Sequence, residues 1–384
     1  MENHPLVILG AGIGGLATAA ALQRFGIQAV VYEQTSAFAR LGAGLQQSPN
    51  AMRVLRGLGL EQRLCATAFE PRSSLNRDAY SGSVSNEHPL GRAVQERYGA
   101  PFLAMHRGDL HQALADLLPA QQLRLGKRLV AMEQDGDGVT LRFADGAVVR
   151  AGAVIAADGV HSLVRDAVVG SAESARFTGR VAYRTTFAAS QLRGVDIGAS
   201  RTKWWGEDRH IVIYYVTAAM DEVYFVTSQP EKADWITRES WSFKGDLDEL
   251  RASFESFHAD VRAVLASASE VHKWGIFERD PLPRWCSGRV VLLGDACHPM
   301  TPYMASGAAM ALEDAVVLSR CLAQGDLGQP TAAFMAFEAT RKPRTSRVQS
   351  GSSANGWMRN QTNPDWLYGY DAWTVDLQRP ERPL

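Results

Sequence analysis

Residues 5–15 of the chain read PLVILGAGIGG, an apolar run that ends in glycines, and residues 16–25 continue as LATAAALQRF. The apolar run predicts a buried strand from Pro5 to Leu9, and the alanine-rich continuation predicts a helix. A second apolar run from Gln28 to Tyr32 predicts another strand. Together these segments predict a strand–turn–helix–strand unit of Rossmann type, and with it an α/β fold.

The turn between the first strand and the helix has the spacing of a dinucleotide-binding site. Gly10, Gly12 and Gly15 form G-x-G-x-x-G directly after the strand, and an acidic residue, Glu33, ends the next strand. Gly10 permits the tight turn, Gly12 lets the backbone approach a pyrophosphate, and Gly15 lets helix and strand pack closely. The helix N-terminus offers N–H groups to the phosphates, and Glu33 offers its carboxylate to the ribose hydroxyls. A glycine-rich turn without a ligand is the alternative, and the spacing does not separate FAD from NAD.

Length and composition set broad limits on the function. The chain has 384 residues, with 40 Lys and Arg against 41 Asp and Glu, so the formal net charge is −1. That length predicts two to three domains, and the neutral charge argues against a nucleic-acid partner. The four cysteines form no C-x-x-C pair, which predicts neither a metal site nor a disulfide scaffold. The chain has no apolar run long enough to span a membrane, and no basic region precedes the apolar run at the N-terminus. We therefore expect no membrane span, no signal peptide and a cytoplasmic enzyme.

Further strands and one long helix are predicted along the chain. Apolar runs predict strands at Thr140–Phe143, Val148–Arg150 and Val154–Ala157, and the region from about 180 to 273 is β-rich. A strand from Arg289 to Leu293 precedes a helix predicted at Ala308–Gln324. The polar stretch 72–97 has no clear assignment.

Three later segments resemble the motifs of one enzyme family. Residues 157–165, ADGVHSLVR, resemble the DG motif of the class A FAD-dependent aromatic hydroxylases, which are single-component flavoprotein monooxygenases. Residues 294–302, GDACHPMTP, resemble the GD motif of these enzymes, and residues 106–110, HRGDL, resemble their arginine motif. Their order after the glycine fingerprint extends the resemblance over nearly the whole chain.

The resemblance implies a domain organisation and a set of cosubstrates. It implies a discontinuous Rossmann-like FAD-binding domain at 1–70, 98–170 and 275–349, and a β-sheet substrate domain at 71–97 and 171–274. A C-terminal helical segment and tail would occupy 350–384. A single glycine fingerprint in this family goes with one tightly bound FAD, while NADH and O2 act as cosubstrates. The protein would be a monomer or a homodimer.

The resemblance also implies cofactor contacts. Asp295 would form hydrogen bonds with the ribityl or ribose hydroxyls of FAD, and Arg107 would pair with the pyrophosphate. Pro302 and Gly307 would line the flavin ring. Three alternatives stay open: Asp295 could cap a turn, Arg107 could bridge Asp109 at the surface, and Asp158 could cap the helix that follows it. The full implied set of cofactor residues is Gly10, Gly12, Gly14, Gly15, Glu33, Gln34, Arg40, Gln46, Arg107, Leu129, Asp158, Asp295, Pro302, Gly307 and Ala308.

The segment 203–215, KWWGEDRHIVIYY, resembles the branch of the family that acts on 6-hydroxynicotinate. Residues His210 and Tyr214 are four apart, so a strand would place both on one face, with Tyr215 on the other. The implied role of His210 and Tyr214 is to bind and deprotonate a ring hydroxyl, with Tyr214 as hydrogen-bond partner or relay. A packed histidine without a catalytic role is the alternative. The pair Trp204–Trp205 could form an aromatic cage, but alternating faces of one strand are the simpler interpretation.

Two positions differ from that branch, where histidines are expected. Gln46 is predicted to lie near the flavin, where it can donate and accept hydrogen bonds but cannot act as a base. Tyr303 could bind a substrate carboxylate or simply pack in the core. Gln46 is similar to salicylate-hydroxylase-type members, so salicylate or 4-hydroxybenzoate hydroxylation remains an alternative.

The predicted catalytic residues are therefore His210, Tyr214 and Gln46, and Tyr303 joins them in substrate binding. The resemblance implies that a small aromatic carboxylate is hydroxylated through a C4a-hydroperoxyflavin. The predicted reaction is decarboxylative hydroxylation of 6-hydroxynicotinate to 2,5-dihydroxypyridine. From another functional class, a non-catalytic FAD-binding redox protein is the alternative.

Overall fold

The first sheet of the protein is built on apolar runs that are buried on both faces. A computed structural model describes residues 2–40, 43–170, 175–192, 194–232, 243–359 and 362–378. The sheet contains β1 (Glu2–Leu9), β2 (Val30–Tyr32), β7 (Leu123–Arg124), β8 (Leu129–Gln134), β9 (Val139–Phe143), β10 (Val148–Ala156), β17 (Cys286–Ser287) and β18 (Val290–Leu292). Strands β18, β10, β1, β2 and β7 lie in that order and are parallel, as the predicted α/β class requires.

Strand β10 corrects one detail of the sequence analysis. The segments Val148–Arg150 and Val154–Ala157, predicted as separate strands, form one continuous strand that pairs with β1 along its length. Gly152 does not interrupt it. A Cβ atom at Gly152 would lie 2.7 Å from the carbonyl oxygen of Pro5, so glycine permits β1 and β10 to approach closely.

A second sheet separates a helical layer from the interior of the protein. It contains β4 (Ser73–Asp78), β5 (Val84–Pro89), β11 (Arg176–Ala188), β12 (Arg201–Trp205), β13 (His210–Tyr215), β14 (Glu222–Pro230), β15 (Phe243–Lys244) and β16 (His272–Glu278). Along β13, Ile211 and Ile213 pack in the core beneath the helices, whereas Val212 and Tyr214 belong to a separate cluster on the opposite face. This alternation places His210, Val212 and Tyr214 together on the inward face of the sheet.

Helices and a short hairpin complete the described residues. The hairpin pairs β3 (Gly44–Gln47) with β6 (Leu103–His106). The helices are α1 (Ile13–Arg24), α2 (Pro49–Gly57), α3 (Glu61–Thr67), α4 (Gly91–Tyr98), α5 (Arg107–Ala115), α6 (Leu163–Val169), α7 (Leu247–Ser253), α8 (Ala259–Ser267), α9 (Gly307–Gln324), α10 (Thr331–Ser353) and α11 (Asp365–Tyr368). Helix α9 covers the predicted Ala308–Gln324 and begins one residue earlier. No helix within the described ranges is long and apolar enough to cross a membrane.

The residue ranges that supply each sheet can be compared with the predicted domain boundaries. The first sheet takes its strands from 2–32, 123–156 and 286–292, and the second takes its strands from 73–89 and 176–278. The polar stretch 72–97, left unassigned above, forms β4, β5 and most of α4. The predicted boundary after 349 falls inside α10, while residues 171–174 and 379–384 lie outside the described part of the chain.

Candidate active site

A large cavity lies where the carboxyl ends of the parallel strands face the inward side of the second sheet. It encloses about 1630 Å³, including its opening to solvent. Strands β1, β10 and β18 each end beside it, which is where open α/β sheets bind ligands. The predicted site residues that line it are Gly12, Gly14, Gln46, Arg107, His210, Tyr214, Asp295, Pro302, Tyr303, Gly307 and Ala308. Those that do not line it are Gly10, Gly15, Glu33, Gln34, Arg40, Leu129 and Asp158.

The three fingerprint glycines have distinct surroundings. Gly10 has φ +96°, and a Cβ atom there would lie 2.4 Å from the carbonyl oxygen of Ala157. A Cβ atom at Gly15 would lie 2.0 Å from the carbonyl oxygen of Gly10, so both positions require glycine for packing. At Gly12 no protein atom lies within 4 Å of the Cβ position, and the residue borders the cavity. Gly12 therefore leaves room for a ligand.

Two side chains hold the glycine turn in place. The Glu33 carboxylate accepts hydrogen bonds from the backbone N–H of Ala11 at 2.7 Å and of Thr35 at 2.8 Å. His111 contacts the carbonyl oxygen of Ala11 through Nε2 at 2.6 Å, a contact that sequence reasoning missed. The Glu33 carboxylate thus stabilises the turn by accepting hydrogen bonds from backbone N–H groups.

Asp295 faces the cavity directly after β18. Its carboxylate is exposed there and forms no hydrogen bond or salt bridge within the described ranges, so the structure does not support the turn-capping alternative. The loop is held instead by Arg165, which is buried and donates to the carbonyl oxygens of Asp295 and Ala296 at 2.8 and 2.7 Å. Arg165 also donates to Val160, and so connects the DG and GD segments.

Asp158 helps to cap the start of α6, where Ser162 is the N-cap residue and accepts a hydrogen bond from the backbone N–H of Arg165. The Oδ2 atom of Asp158 accepts a hydrogen bond from the backbone N–H of Leu163 at 3.1 Å, at the start of α6. Burial raises the pKa of the Asp158 carboxyl, and its Oδ1 atom is buried without a partner among the described residues. The capping alternative therefore describes Asp158, which does not border the cavity.

The two predicted cofactor arginines have different surroundings. Arg40 forms salt bridges with Asp109 at 2.8 Å and with Glu222 at 2.7 Å, and does not reach the cavity. Because Asp109 pairs with Arg40, the alternative in which Arg107 bridges Asp109 is wrong. Arg107 lines the cavity and forms no salt bridge among the described residues, so its charge is available to an anion.

The remaining predicted cofactor residues lie near the end of β2 and in β8. Gln34 is exposed just after β2, and Leu129 is half-buried against the main hydrophobic core.

The cavity suits FAD on four observations. The N-terminus of α1 has neither a side-chain cap nor an acidic residue in its first turn, so its N–H groups and dipole are available to phosphates. Gly12 leaves open space beside that terminus, and Arg107 adds positive charge. Asp295 offers an unpaired carboxylate to hydroxyl groups. These residues would hold the pyrophosphate and the sugar-like chain of FAD.

At the second sheet, His210 and Tyr303 form one end of the cavity. The Tyr303 hydroxyl lies 3.0 Å from the Oγ atom of Ser228, and its ring meets the His210 ring edge-on with centroids 5.7 Å apart. His210 is buried, and burial lowers its pKa well below the ordinary 6.5, assisted by the positive charges of Lys203 and Arg180. The imidazole is therefore neutral at neutral pH and can accept a proton.

Tyr214 and Gln46 form the other end. Burial raises the pKa of the Tyr214 hydroxyl above its ordinary value, and a hydrogen bond with Gln46 opposes that shift. The phenol is therefore protonated and acts as a hydrogen-bond donor or acceptor. Tyr215 does not line the cavity. Trp204 packs in the core beneath the helices while Trp205 contacts His210, so the two rings occupy opposite faces and form no cage.

Three basic side chains line the same cavity and were missed in the sequence analysis: Lys203 is buried, and Arg184 and Arg201 are half-buried. Arg184 stacks on the ring of Trp274 at 3.9 Å, and Lys203 lies over the ring of Trp205 at 3.7 Å. Arg201 is the third. Their signal is the period of two in Arg201-Thr202-Lys203, which places both cations on the face opposite Trp204.

A buried ionic network supports the GD loop from behind. Asp314 accepts hydrogen bonds from His298 at 2.5 Å, from Arg341 at 2.7 Å and from the backbone of Gly294 at 3.2 Å. Burial acts to raise the pKa of Asp314, but the charges of His298 and Arg341 outweigh it and lower that pKa. Cys297, His298 and Asp314 bring possible metal ligands within 4.8 Å, yet Asp314 already accepts these three bonds.

Comparison with known proteins agrees with this geometry. Residues 3–351 match the FAD binding domain family. The chain belongs to that family, and within it to the FAD-dependent aromatic hydroxylases, which are flavin monooxygenases.

Individual enzymes of known activity are similar to this chain over most of its length. The chain is 44% identical over 383 residues to the 6-hydroxynicotinate 3-monooxygenase of Bordetella bronchiseptica, covering 100% of this chain and 99% of that protein. It is 40% identical to the 3-amino-4-hydroxybenzoate 2-monooxygenase of Streptomyces cremeus, covering 89% and 84% of the two chains. Among solved structures, a salicylate hydroxylase substrate complex superposes with TM-score 0.83 at 25% identity, covering 97% of this chain and 96% of that chain.

Proposed function

We propose that this flavin monooxygenase uses NADH and O2 to convert 6-hydroxynicotinate to 2,5-dihydroxypyridine with loss of CO2. The observation that carries the proposal is a cavity in which a neutral His210 stands among three basic side chains, Arg184, Arg201 and Lys203. An aromatic ring with a carboxylate and an ionisable hydroxyl matches that charge. The two relatives named for 6-hydroxynicotinate, at 44% and 40% identity, support this ring as the substrate.

The chemistry that FAD supplies when bound is acceptance of electrons from NADH and activation of O2. The protein's own residues act on the substrate. His210 accepts the proton of the ring hydroxyl, and the amino group of the nearby Lys203, whose pKa is lowered by burial, donates a hydrogen bond to the oxyanion that results. The oxyanion raises the electron density at the ring carbon para to it, which is where oxygen is added. In 6-hydroxynicotinate that carbon bears the carboxylate, so CO2 leaves as the ring regains aromaticity.

Exclusion of water is the second task of the site. His210 and Tyr214 are 5% and 2% exposed, and the inner end of the cavity is closed by Tyr303 and the second sheet. A dry site protects activated oxygen from unproductive release as peroxide, and it strengthens the charge interactions of the substrate.

A benzenoid substrate is the second candidate. Gln46 stands at the cavity wall beside Tyr214, where the 6-hydroxynicotinate branch is expected to carry histidine. Salicylate or 4-hydroxybenzoate would then replace the pyridine. We further propose that the protein uses NADH in preference to NADPH, and that it is a monomer or a homodimer without a nucleic-acid partner. We also propose that it is cytoplasmic, since its free cysteines support a reducing compartment.

A substrate panel tests this proposal. Purified protein with FAD is given NADH and either 6-hydroxynicotinate, salicylate or 4-hydroxybenzoate, and NADH oxidation is followed with product identification. We expect 6-hydroxynicotinate to stimulate oxidation and to yield 2,5-dihydroxypyridine and CO2. If it does neither while a benzenoid is hydroxylated, the substrate assignment is wrong and the second candidate takes its place.

A further inference from the structure

Arg201 is a half-buried cation that lines the cavity. Its Nη1 atom donates to the Oγ atom of Ser74 at 2.5 Å, but its Nε atom is buried without a hydrogen-bond partner. No acidic side chain in the described parts of the chain forms a salt bridge with it. The side chain borders the cavity, so an anionic ligand there can supply the charge partner that Arg201 lacks.

Arg201 also lines a polar chamber that opens beside the main cavity. The chamber measures about 400 Å³ including its opening to solvent, and Gln46 and Arg201 line both spaces. Residues 305 and 306, just before the predicted flavin contacts Gly307 and Ala308, complete the shared border. An anion bound by Arg201 would therefore lie at the cofactor end of the substrate space.

Strand pairing places Arg201 far from His210. Thr202 pairs with Ile213 and Trp205 pairs with His210, so Arg201 lies at the Tyr214 end of β13. The four steps from His210 to Tyr214 span ~13 Å along the strand, with Val212 between them on the same face. Residues that far apart along the strand suit two separate groups of one substrate better than a single oxygen atom.

We propose that Arg201, with the Tyr214 hydroxyl, binds the substrate carboxylate, while His210 meets the ring oxygen at the opposite end. This inference rests on the proposed function and deepens it. The ring lies lengthwise over Val212, and its two oxygen-bearing groups point in opposite directions. Tyr214 thereby moves from the hydroxyl end, where the sequence analysis placed it, to the carboxylate end.

This arrangement selects a substrate class. A ring whose hydroxyl and carboxylate are para to each other reaches both ends with one hydrogen bond at each. Groups on neighbouring carbons, as in salicylate, point to the same end and leave either His210 or Arg201 without a partner. The site therefore favours 6-hydroxynicotinate or 4-hydroxybenzoate over salicylate, because an unpaired buried charge costs binding energy.

Calorimetric titration of the FAD-loaded protein tests the proposal. The ligands are 6-hydroxynicotinate and 6-hydroxynicotinamide, in which a neutral amide replaces the carboxylate. The wild type should bind the acid more tightly. Arg201→Gln should weaken binding of the acid about 10- to 100-fold while changing that of the amide less than threefold, as expected for loss of a charged hydrogen bond. Arg201→Lys should retain part of the preference because it retains the charge.

Arg77→Gln is the matched control, since Arg77 is a half-buried cation of the same sheet that lies over the ring of Trp204 and does not line the cavity. It should leave the ratio of acid to amide affinity nearly unchanged, and flavin absorbance checks that each variant still holds FAD. Equal weakening of acid and amide by Arg201→Gln would overturn the proposal and make Arg201 structural.

The proposed substrate and this inference can fail separately. If 6-hydroxynicotinate does not bind but 4-hydroxybenzoate and its amide give the same pattern, the carboxylate-binding role of Arg201 holds. Only the proposed pyridine substrate is then wrong. If salicylate alone binds, the para selection is overturned.

Discussion

The glycine turn provides a matched pair of substitutions that separates ligand binding from packing. In Gly12→Ala the new methyl group meets no protein atom within 4 Å, and the backbone at this residue, with φ −71° and ψ −179°, is one that alanine adopts without strain. The free energy of unfolding without FAD should therefore change by less than ~1 kcal/mol. The methyl group nevertheless fills the space where the pyrophosphate would lie, so FAD binding should weaken.

The expected size follows from mass action. FAD at about 100 times its Kd stabilises the wild type by ~2.7 kcal/mol. With an unfolding entropy of about 2.1 cal/mol/K per residue, this raises the Tm of 384 residues by ~3 °C. Gly12→Ala should lose most of that increment and keep the Tm measured without FAD.

Gly15→Ala is the counterpart. Its methyl group would lie 2.0 Å from the Gly10 carbonyl oxygen, so helix α1 must move, and overpacking of this kind costs about 1–3 kcal/mol. The assay is thermal unfolding of each variant with and without added FAD. Full FAD stabilisation of Gly12→Ala, or an unchanged Tm of Gly15→Ala without FAD, would refute the assigned roles.

Three further predictions concern the site and its support. His210→Ala should lower kcat about 10²–10⁴-fold and remove the acidic limb of the pH–rate profile, while flavin absorbance shows FAD still bound. Lys203→Met should move that limb to higher pH, because the wild-type charge helps to lower the pKa of His210 and so keeps it neutral well below pH 6.5. Asp314→Asn should reduce the free energy of unfolding in urea by ~3 kcal/mol at pH 7, since it leaves the buried Arg341 partly uncompensated. That loss should shrink in acid, because the lowered pKa of Asp314 makes its contribution complete above about pH 3.8 and absent once the folded carboxyl is protonated.

Local patterns predicted the nucleotide-binding half of the fold well. The apolar run before Gly10 forms β1, and the apolar run before Gly294 forms β18, because buried parallel strands need little beyond continuous apolar sequence. The stretch 72–97 could not be assigned, since β4 is held by pairing with β12, more than a hundred residues later. Such long-range pairing leaves no periodic signal in a polar segment.

The candidate site was predictable where chemistry depends on neighbouring residues. The even spacing of His210 and Tyr214 places both on the cavity face, as a strand requires. Arg184 carries no local signature, because its exposure or burial depends on which strands meet across the sheet. The role of Asp158 as a cap likewise depends on where α6 begins.

The central claim, that the protein inserts oxygen into a para-hydroxylated aromatic carboxylate, is tested most directly with isotopically labelled O2. FAD-loaded protein is supplied with NADH and 6-hydroxynicotinate, and the product is analysed by mass spectrometry. We predict 2,5-dihydroxypyridine that carries one labelled oxygen atom, formed in equal amount to the NADH consumed. Consumption of NADH that yields only hydrogen peroxide, with 6-hydroxynicotinate and 4-hydroxybenzoate both recovered unchanged, would contradict the claim.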